Sequence, residues 1–192
     1  MRVLVIGAHP DDETSCGGTV VKHVRKGDRV KVAVVTDGSI GSFEIPPEEL
    51  VKIRQKECKA ACNVLGVNEG VEFLGFPDGY LYLNKETFIA VGGLVRSYKP
   101  DRIYTHDGGS GTNIPVNNLR NNYDHISTNL IVMRCVQMLK FDLLPEMGRE
   151  AWDVKDVYVF DHEMADATTY VDVSDVIAVS YTHLRAHETV LD

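Results

Sequence analysis

Residues 3–13 read VLVIGAHPDDE, and the predicted fold depends most on this segment. Its first four residues are apolar and mostly β-branched, and such an uninterrupted run is typical of a central parallel strand that is covered on both faces. One imidazole and two adjacent carboxylates follow, from His9, Asp11 and Asp12. They come at the carboxyl end of the predicted strand, where open α/β sheets bind their ligands. The stretch therefore predicts both a parallel sheet and a polar site at its edge.

The spacing of these three side chains fits a metal-dependent hydrolase. A hydrolytic zinc site needs about three protein ligands from His and Asp or Glu, and it keeps one position open for water. His9 and Asp12 flank a turn that Pro10 stiffens, so both can converge on one ion. Asp11 points elsewhere and leaves a free carboxylate, as a general base requires. The alternative is that Asp11 and Asp12 only cap a helix, but capping does not explain the histidine.

Composition places the chain among ordinary globular proteins. Its 192 residues, 44% hydrophobic and 25% charged, suffice for one domain with a substantial core. The net charge of −8 argues against nucleic acid or an anionic membrane as a partner. No apolar stretch is long enough to span a bilayer, and residues 1–6 lack the flanks of a signal peptide. Paired Cys-x-x-Cys spacing is absent, so we expect a cytoplasmic protein with four buried free thiols, Cys16, Cys58, Cys62 and Cys135.

Strand and helix patterns alternate along the rest of the chain. Helices are predicted over 14–26, 47–65, 87–98 and 124–140, and strands over 29–36, 71–74, 102–106 and 157–160. This alternation is typical of an α/β fold with a Rossmann-like, doubly wound and mostly parallel sheet flanked by helices, in a single domain. The pair Gly17-Gly18 is expected to let the first helix approach the sheet closely. The long polar loop over residues 107–123 is typical of a functional or a disordered segment.

The last residues differ in character from the domain before them. From about residue 179 the sequence resembles translated sequencing-adapter read-through. We therefore expect residues 1–178 to form a C-terminally truncated domain and residues 179–192 to be a non-native tail. His183 and His187 would pair on one helix face as metal ligands, but as tail residues they are excluded from the predicted site.

Several motifs together resemble one enzyme family. AHPDDE at 8–13, followed by Gly17-Gly18, resembles the LmbE-like or PIG-L family of zinc-dependent N-acetylglucosaminyl deacetylases. Weaker matches follow in family order to about residue 177, namely TDG at 36–38, IRQKE at 53–57, LGFPDG at 74–79, KPD at 99–101, TH at 105–106 and DH at 124–125. The resemblance implies a hydrolase that removes an acetyl group from an N-acetylglucosamine-type sugar or glycoconjugate. Its cofactor would be one zinc ion, with iron as the alternative, and a homo-oligomer is left open.

The resemblance also implies roles for individual residues. His9, Asp12 and His125 would hold the zinc, and Asp11 would be the general base. His106 is the rival third ligand, but a histidine that supports the ligands is the favoured interpretation. Asp124 would orient its neighbours, although a helix cap is its plainer interpretation.

One position departs from the family pattern. Many members carry His-Pro-Asp-His, whose first His helps to stabilise the oxyanion, whereas this chain has Asn122-Tyr123-Asp124-His125. Some members carry an Asn-x-Asp-His version. The Asn122 amide can donate a hydrogen bond to an oxyanion, but it supplies neither a positive charge nor a proton. Asn121 stands where some members have a basic residue, which argues against substrates that are recognised there through an anionic group.

Two further residues resemble substrate contacts of the family. Arg54 would grip a carboxylate, a phosphate or a sugar hydroxyl, or would be a solvated helix residue paired with Glu57. Asp78 would accept bonds from sugar hydroxyls, although turn chemistry alone explains Pro-Asp-Gly. His23 and His162 have no supporting motif and are predicted to lie on the surface.

Three other functions remain open at this point. The first is a non-catalytic sugar-binding protein of the same fold, and the second is a metal-dependent amidase that acts on a thiol–sugar conjugate. The third, a dinucleotide-binding enzyme, is weak because the turn after the first strand is acidic and lacks Gly-x-Gly-x-x-Gly.

Overall fold

Five parallel strands form the centre of the fold in the computed structural model, which describes residues 1–108, 122–142, 144–148, 150–160 and 167–187. The strands are β1 (Arg2–Gly7), β2 (Arg29–Thr36), β3 (Val71–Phe76), β4 (Arg102–His106) and β5 (Asp156–Phe160). Their order in the sheet is β3-β2-β1-β4-β5, and every neighbouring pair is parallel. This arrangement confirms the predicted doubly wound sheet in a single domain.

Helices cover both faces of the sheet. Within the described part of the chain they are α1 (Gly17–Arg25), α2 (Pro47–Leu65), α3 (Lys85–Tyr98), α4 (Tyr123–Leu139) and α5 (Ile177–Leu184). The core residues of α3 and α4 form one apolar cluster with one face of the sheet, and those of α1 and α2 form a second cluster with the other face. None of the described helices is both long and apolar enough to cross a membrane.

Strand β1 contributes side chains to both apolar clusters. Leu4 and Ile6 point into the cluster with α3 and α4, whereas Val3 and Val5 point into the cluster with α1 and α2. All four side chains are fully buried, and each such burial contributes roughly 1.5–3 kcal/mol. The apolar residues near the start of the chain therefore stabilise β1 at the centre of the sheet. Because His9 follows β1, it lies at the carboxyl edge of the sheet.

Helix boundaries follow local chemistry and differ slightly from the predicted ones. A 3₁₀ turn over Asp12–Cys16 precedes α1, so the α-helix itself begins three residues later than predicted. Helix α3 begins two residues earlier than predicted because the side chains of Asn84 and Thr87 form a capping box. Helix α2 ends where predicted, at Leu65, and the next residue is Gly66, whose φ of 78° is easily adopted without a Cβ.

Two sequence interpretations need correction. A Cβ at position 18 would lie 2.7 Å from Val173, so the Gly17-Gly18 pair makes room for the C-terminal segment and not for the sheet. His23 is not a surface residue, because it is buried with Nδ1 2.7 Å from Asp28 Oδ2 and Nε2 3.0 Å from the Tyr104 hydroxyl. The four cysteines are free and buried, as predicted. His162, Asn121 and most of the predicted loop over 107–123 lie outside the described residues.

Candidate metal centre

The carboxyl edge of the sheet brings the predicted ligands together. His9 lies two residues beyond β1, and His125 lies in the first turn of α4, 116 residues away. His106 is the last residue of the neighbouring strand β4. Because parallel strands end at one edge, these side chains meet although they are far apart in sequence.

The three predicted ligands have the separations of groups that share one ion. His9 Nδ1 lies 3.2 Å from His125 Nε2, and His125 Nε2 lies 3.2 Å from Asp12 Oδ1. His9 Nδ1 lies 3.6 Å from Asp12 Oδ2. Tetrahedral ligands at zinc distances lie about 3.3 Å from one another. His9, Asp12 and His125 therefore form a candidate metal group.

The charge around His9 also fits a bound cation. His9 Nε2 lies 3.2 Å from Asp78 Oδ1 and 3.4 Å from Asp124 Oδ2, yet it is buried and has no partner of hydrogen-bonding geometry. Burial alone would lower the pKa of His9, but the nearby carboxylates of Asp12, Asp124 and Asp78 outweigh it and raise that pKa to about 12. A buried excess of carboxylates needs a positive charge, and a divalent ion on these nitrogen and oxygen donors supplies one.

Asp12 is held in place from several sides. The backbone N–H of His9 donates to Asp12 Oδ2 at 2.6 Å, and His106 Nε2 lies 2.9 Å from the same oxygen. The His106 ring stacks on His125 with centroids 3.8 Å apart. Although burial acts to raise the pKa of Asp12, the three histidines hold it well below its ordinary value. These contacts keep Asp12 charged and support the interpretation of His106 as a residue that positions the ligands.

Asp11 stands apart from the candidate ligands. Its Oδ2 lies 3.2 Å from Arg54 Nη2, and its side chain is 23% exposed. Burial and the charge of Asp12 raise the pKa of Asp11, whereas the charge of Arg54 acts to lower it. A carboxylate with a raised pKa and some access to solvent suits proton transfer.

The structure shows which of Asn122 and Asp124 caps α4. Asn122 is the N-cap of α4, with its side chain accepting from the Asp124 N–H at 2.9 Å. Asp124 is therefore not the cap. Its oxygens accept from the backbone N–H groups of Gly79 at 2.6 Å and Leu81 at 3.1 Å, and one of them faces His9. Asp124 thus joins the loop after β3 to the His9 imidazole, as an orienting residue would.

Arg54 and Asp78 lie in the same buried network. Arg54 is not a solvated helix residue, because it is buried with Nη1 donating to the Gly38 carbonyl at 3.1 Å. Asp78 Oδ2 accepts from the Ile40 N–H at 3.3 Å and lies 3.9 Å from Arg54 Nη1. Both residues thus contact the loop after β2, close to Asp11. A role in substrate binding stays a prediction for both.

Sequence reasoning missed the role of Glu13. Its side chain is only 1% exposed, and its Oε1 lies 3.1 Å from His183 Nε2 and 2.7 Å from His187 Nε2. Cys58 Sγ donates to the other oxygen at 3.8 Å. Glu13, His183 and His187 form a further group with metal-ligand proximity. The spacing of His183 and His187 could have indicated this group. Both were excluded because residues 179–192 were predicted to be a non-native tail. That residues 179–192 are non-native stays a prediction.

Comparisons with known proteins relate the chain to one enzyme family. The family profile described as PIG-L, GlcNAc-PI de-N-acetylase, matches residues 4–136. The mycothiol S-conjugate amidase of Streptomyces coelicolor is 34% identical over 158 residues, which cover 69% of this chain and 50% of that protein. A 1D-myo-inositol 2-acetamido-2-deoxy-alpha-D-glucopyranoside deacetylase of Geodermatophilus obscurus is 30% identical over 186 residues, which cover 82% of this chain and 60% of that protein. The chain thus spans only about half of the length of these curated relatives.

A solved structure shows the same fold. The N,N'-diacetylchitobiose deacetylase of Pyrococcus horikoshii superposes with a TM-score of 0.86 at 23% identity, covering 98% of this chain and 70% of that chain. At this identity the likeness concerns the backbone arrangement. It agrees with the sheet order and the helical layers described above.

Proposed function

The chain belongs to the PIG-L family, and on that premise we propose that it is a metal-dependent hydrolase that removes an acetyl group from an N-acetylglucosamine-type sugar or glycoconjugate. The observation that carries the proposal is the convergence of His9, Asp12 and His125 beside a separate carboxylate, Asp11. Among the relatives, one is a deacetylase of a 2-acetamido-2-deoxyglucopyranoside, which supports the choice of substrate class.

The roles follow from the positions of the side chains. His9 Nδ1, His125 Nε2 and Asp12 would hold one zinc ion, or iron as the alternative. When bound, the ion polarises the amide carbonyl and lowers the pKa of water to about 7. Asp11 accepts the proton of the attacking water and returns it to the departing nitrogen. The carbon–nitrogen bond breaks, and acetate and a free amino sugar are formed.

Asn122 and Asp124, at the start of α4, would assist this reaction. The Asn122 side-chain oxygen is engaged by the Asp124 N–H, so its NH₂ group is the end available to donate to the developing oxyanion. Asp124 Oδ2 lies 3.4 Å from His9 Nε2, so Asp124 would orient the His9 imidazole with Nδ1 toward the ion. A small-molecule partner is part of the proposal, and a cytoplasmic location and a homo-oligomer stay predictions.

A second candidate is hydrolysis of the amide in a thiol–sugar conjugate. It is favoured by the amidase among the relatives, which is 34% identical to this chain. Both reactions use the same water attack and the same carboxylate base. A panel of N-acetyl sugars and thiol–sugar amides separates them by the product released. Binding of sugars without release of any product would instead indicate a non-catalytic member of the family.

The test combines metal analysis with measurement of acetate release. We expect one equivalent of zinc per chain and acetate release from N-acetylglucosaminyl compounds. Asp11→Asn should keep the zinc and lose about 10²–10⁴-fold in kcat, because the base is removed and the ligands remain. Exposed Asp153→Asn is the matched control and should behave as wild type. A wild-type rate in Asp11→Asn would contradict the assignment of Asp11 as the general base. Stoichiometric zinc after combined alanine substitution of His9, Asp12 and His125 would contradict the assignment of these residues as ligands.

A further inference from the structure

A groove of about 390 Å³ lies between helices α3 and α4 and the 3₁₀ turn Pro145–Met147. We propose that this α3–α4 groove binds an aliphatic carboxylate, with the hydrocarbon chain in the groove and the carboxylate at its mouth. The described residues that line the groove do not include His9, Asp12 or His125. The inference therefore concerns a second binding site and goes beyond the proposed function.

The walls of the groove are apolar. They are formed by the side chains of Leu83, Phe88, Ile89, Leu144 and Met147. Phe88, Ile89 and Leu144 pack against the core cluster of α3 and α4 but are only partly buried, so each keeps a surface that a ligand can contact. Small-molecule sites typically have volumes of about 300–1,000 Å³, mainly apolar walls and a few polar groups. The size and the lining of the groove thus suit a hydrocarbon chain.

The segment after α4 forms one wall of the groove and is attached to α3. Arg96 of α3 is only 4% exposed. Its guanidinium donates to three main-chain carbonyls of this segment, those of Phe141, Leu144 and Gly148. One turn earlier in α3, Gly92 leaves room for Met147, because a Cβ at position 92 would lie 2.9 Å from Met147 Cε. These contacts fix the wall, so the shape of the groove does not depend on a ligand.

Charged side chains lie only at the mouth of the groove. They are two cations, Lys85 and Arg134, and one anion, Glu146, and all three are exposed. Lys85 Nζ lies 3.8 Å from Glu146 Oε1, whereas no carboxylate of the described residues pairs with Arg134. Lys85 is also the first residue of α3, where the helix dipole favours an anion. A carboxylate at the mouth would therefore pair with Arg134 while its chain contacts the apolar walls.

The affinity for carboxylates of different chain length tests the role of the walls. Hexanoate, octanoate and decanoate are titrated into the zinc-loaded protein in calorimetry, below their critical micelle concentrations. Kd should fall about 15-fold for each two methylene groups added, because each buried methylene contributes a similar increment. Decanol, which has the same chain without the charge, should bind about two- to fivefold more weakly than decanoate. A Kd that does not change with chain length would overturn the proposal.

A charge variant tests the role of the mouth. Arg134→Glu should raise the Kd of decanoate about 10-fold, because an attraction is replaced by a repulsion, and should leave the Kd of decanol unchanged. Lys56→Glu is the matched control, since it makes the same change in net charge at an exposed position of α2, and it should bind both ligands as wild type does. Equal weakening of decanoate binding in Arg134→Glu and Lys56→Glu would indicate non-specific attraction and would overturn the proposal.

A wall variant should weaken the binding of both ligands. Ile89→Gln should raise the Kd of decanoate and of decanol about 10-fold, because a polar group replaces apolar contact surface. Leu83→Gln serves the same purpose if Ile89→Gln fails to fold, because Leu83 is 42% exposed and precedes α3. An unchanged Kd in either folded variant would place decanoate elsewhere, for example at the metal, and would overturn the proposal. None of these measurements uses acetate release, so their outcome is independent of the proposed function.

Discussion

Gly7 determines whether Asp12 can reach its position at the end of β1. A Cβ at position 7 would lie 2.7 Å from Asp12 Cβ, which is not the flexible end of that side chain. Gly7→Ala should therefore shift Asp12 and weaken zinc binding about 10–100-fold, as loss of a supporting contact typically does. Zinc affinity measured by competition with a chelator checks this prediction.

Gly93→Ala is the matched control for this substitution. Nothing lies within 4 Å of a Cβ at position 93 in α3. The variant should keep wild-type zinc affinity and gain roughly 0.5–1 kcal/mol of stability, because alanine is the better helix former. Equal zinc affinity in Gly7→Ala and wild type would show that Asp12 has room to relax.

Single residues differed in how far their surroundings could be predicted. His9 and Asp12 share one turn, so their convergence follows from local spacing. His125 joins them from 116 residues away, and only the family resemblance pointed to it. The burial of His23 and Arg54 was not predictable, because both are polar residues whose partners come from other elements. Local patterns contain no information on such tertiary partners.

The N-terminus of α4 combines a structural cap with a proposed catalytic donor. Asn122 and Asn84 cap α4 and α3, and each accepts one backbone N–H at 2.9 Å, from Asp124 and from Thr87 respectively. Alanine at either position should lower the free energy of unfolding by about 1 kcal/mol in urea denaturation. Only Asn122→Ala should also reduce kcat, by about 10²-fold or more. Asn84→Ala is thus the control for the loss of a cap.

Asn122→Asp separates the two roles of the cap residue. An aspartate keeps the oxygen that accepts the Asp124 N–H but lacks the amide donor. We expect wild-type stability and a kcat as low as that of Asn122→Ala. A kcat equal to wild type would exclude the Asn122 amide from oxyanion stabilisation.

The turn between α1 and β2 should contribute stability that is lost in acid. Burial acts to raise the pKa of Asp28, but hydrogen bonds from His23 and the Met1 amino group lower it below its ordinary value of 3.8. A lowered pKa means that the stabilisation is complete above about pH 4 and is lost as the pH falls through the lowered value. The Tm of wild type should therefore fall more steeply below about pH 4 than that of Asp28→Asn. Parallel Tm curves would contradict this prediction.

The alternation of strands and helices along the chain was enough to predict the architecture. Neighbouring strands joined by a crossover helix favour a parallel arrangement, and the apolar strand β1 lies at the centre of the sheet. The extent of each element was less predictable. Strand β3 continues two residues beyond its predicted end at Leu74, because its pairing with β2 resumes at Phe76 after an irregularity. Such extensions depend on the neighbouring strand and not on the local sequence.

Glu13 joins the C-terminal segment to the rest of the domain through His183 and His187. Burial acts to raise the pKa of Glu13, but hydrogen bonds from His183 and His187 lower it, so the carboxylate is charged in the interior. Removing the partners of a buried charge costs about 3–5 kcal/mol. His183→Ala/His187→Ala should therefore lower the free energy of unfolding by about 3 kcal/mol in urea denaturation. Adding Glu13→Gln should recover part of this loss, because a neutral amide is less costly to bury.

Tyr181→Ala, on the exposed side of α5, is the control and should change stability little. Zinc content should stay at the wild-type level in all these variants, because neither histidine belongs to the group formed by His9, Asp12 and His125. Unchanged stability in the double histidine variant would mean that α5 does not dock in solution, in agreement with a non-native tail. Glu13 would then lack its imidazole partners in solution, and another donor would have to reach the same carboxylate, because a buried charge of this kind is not left unpaired.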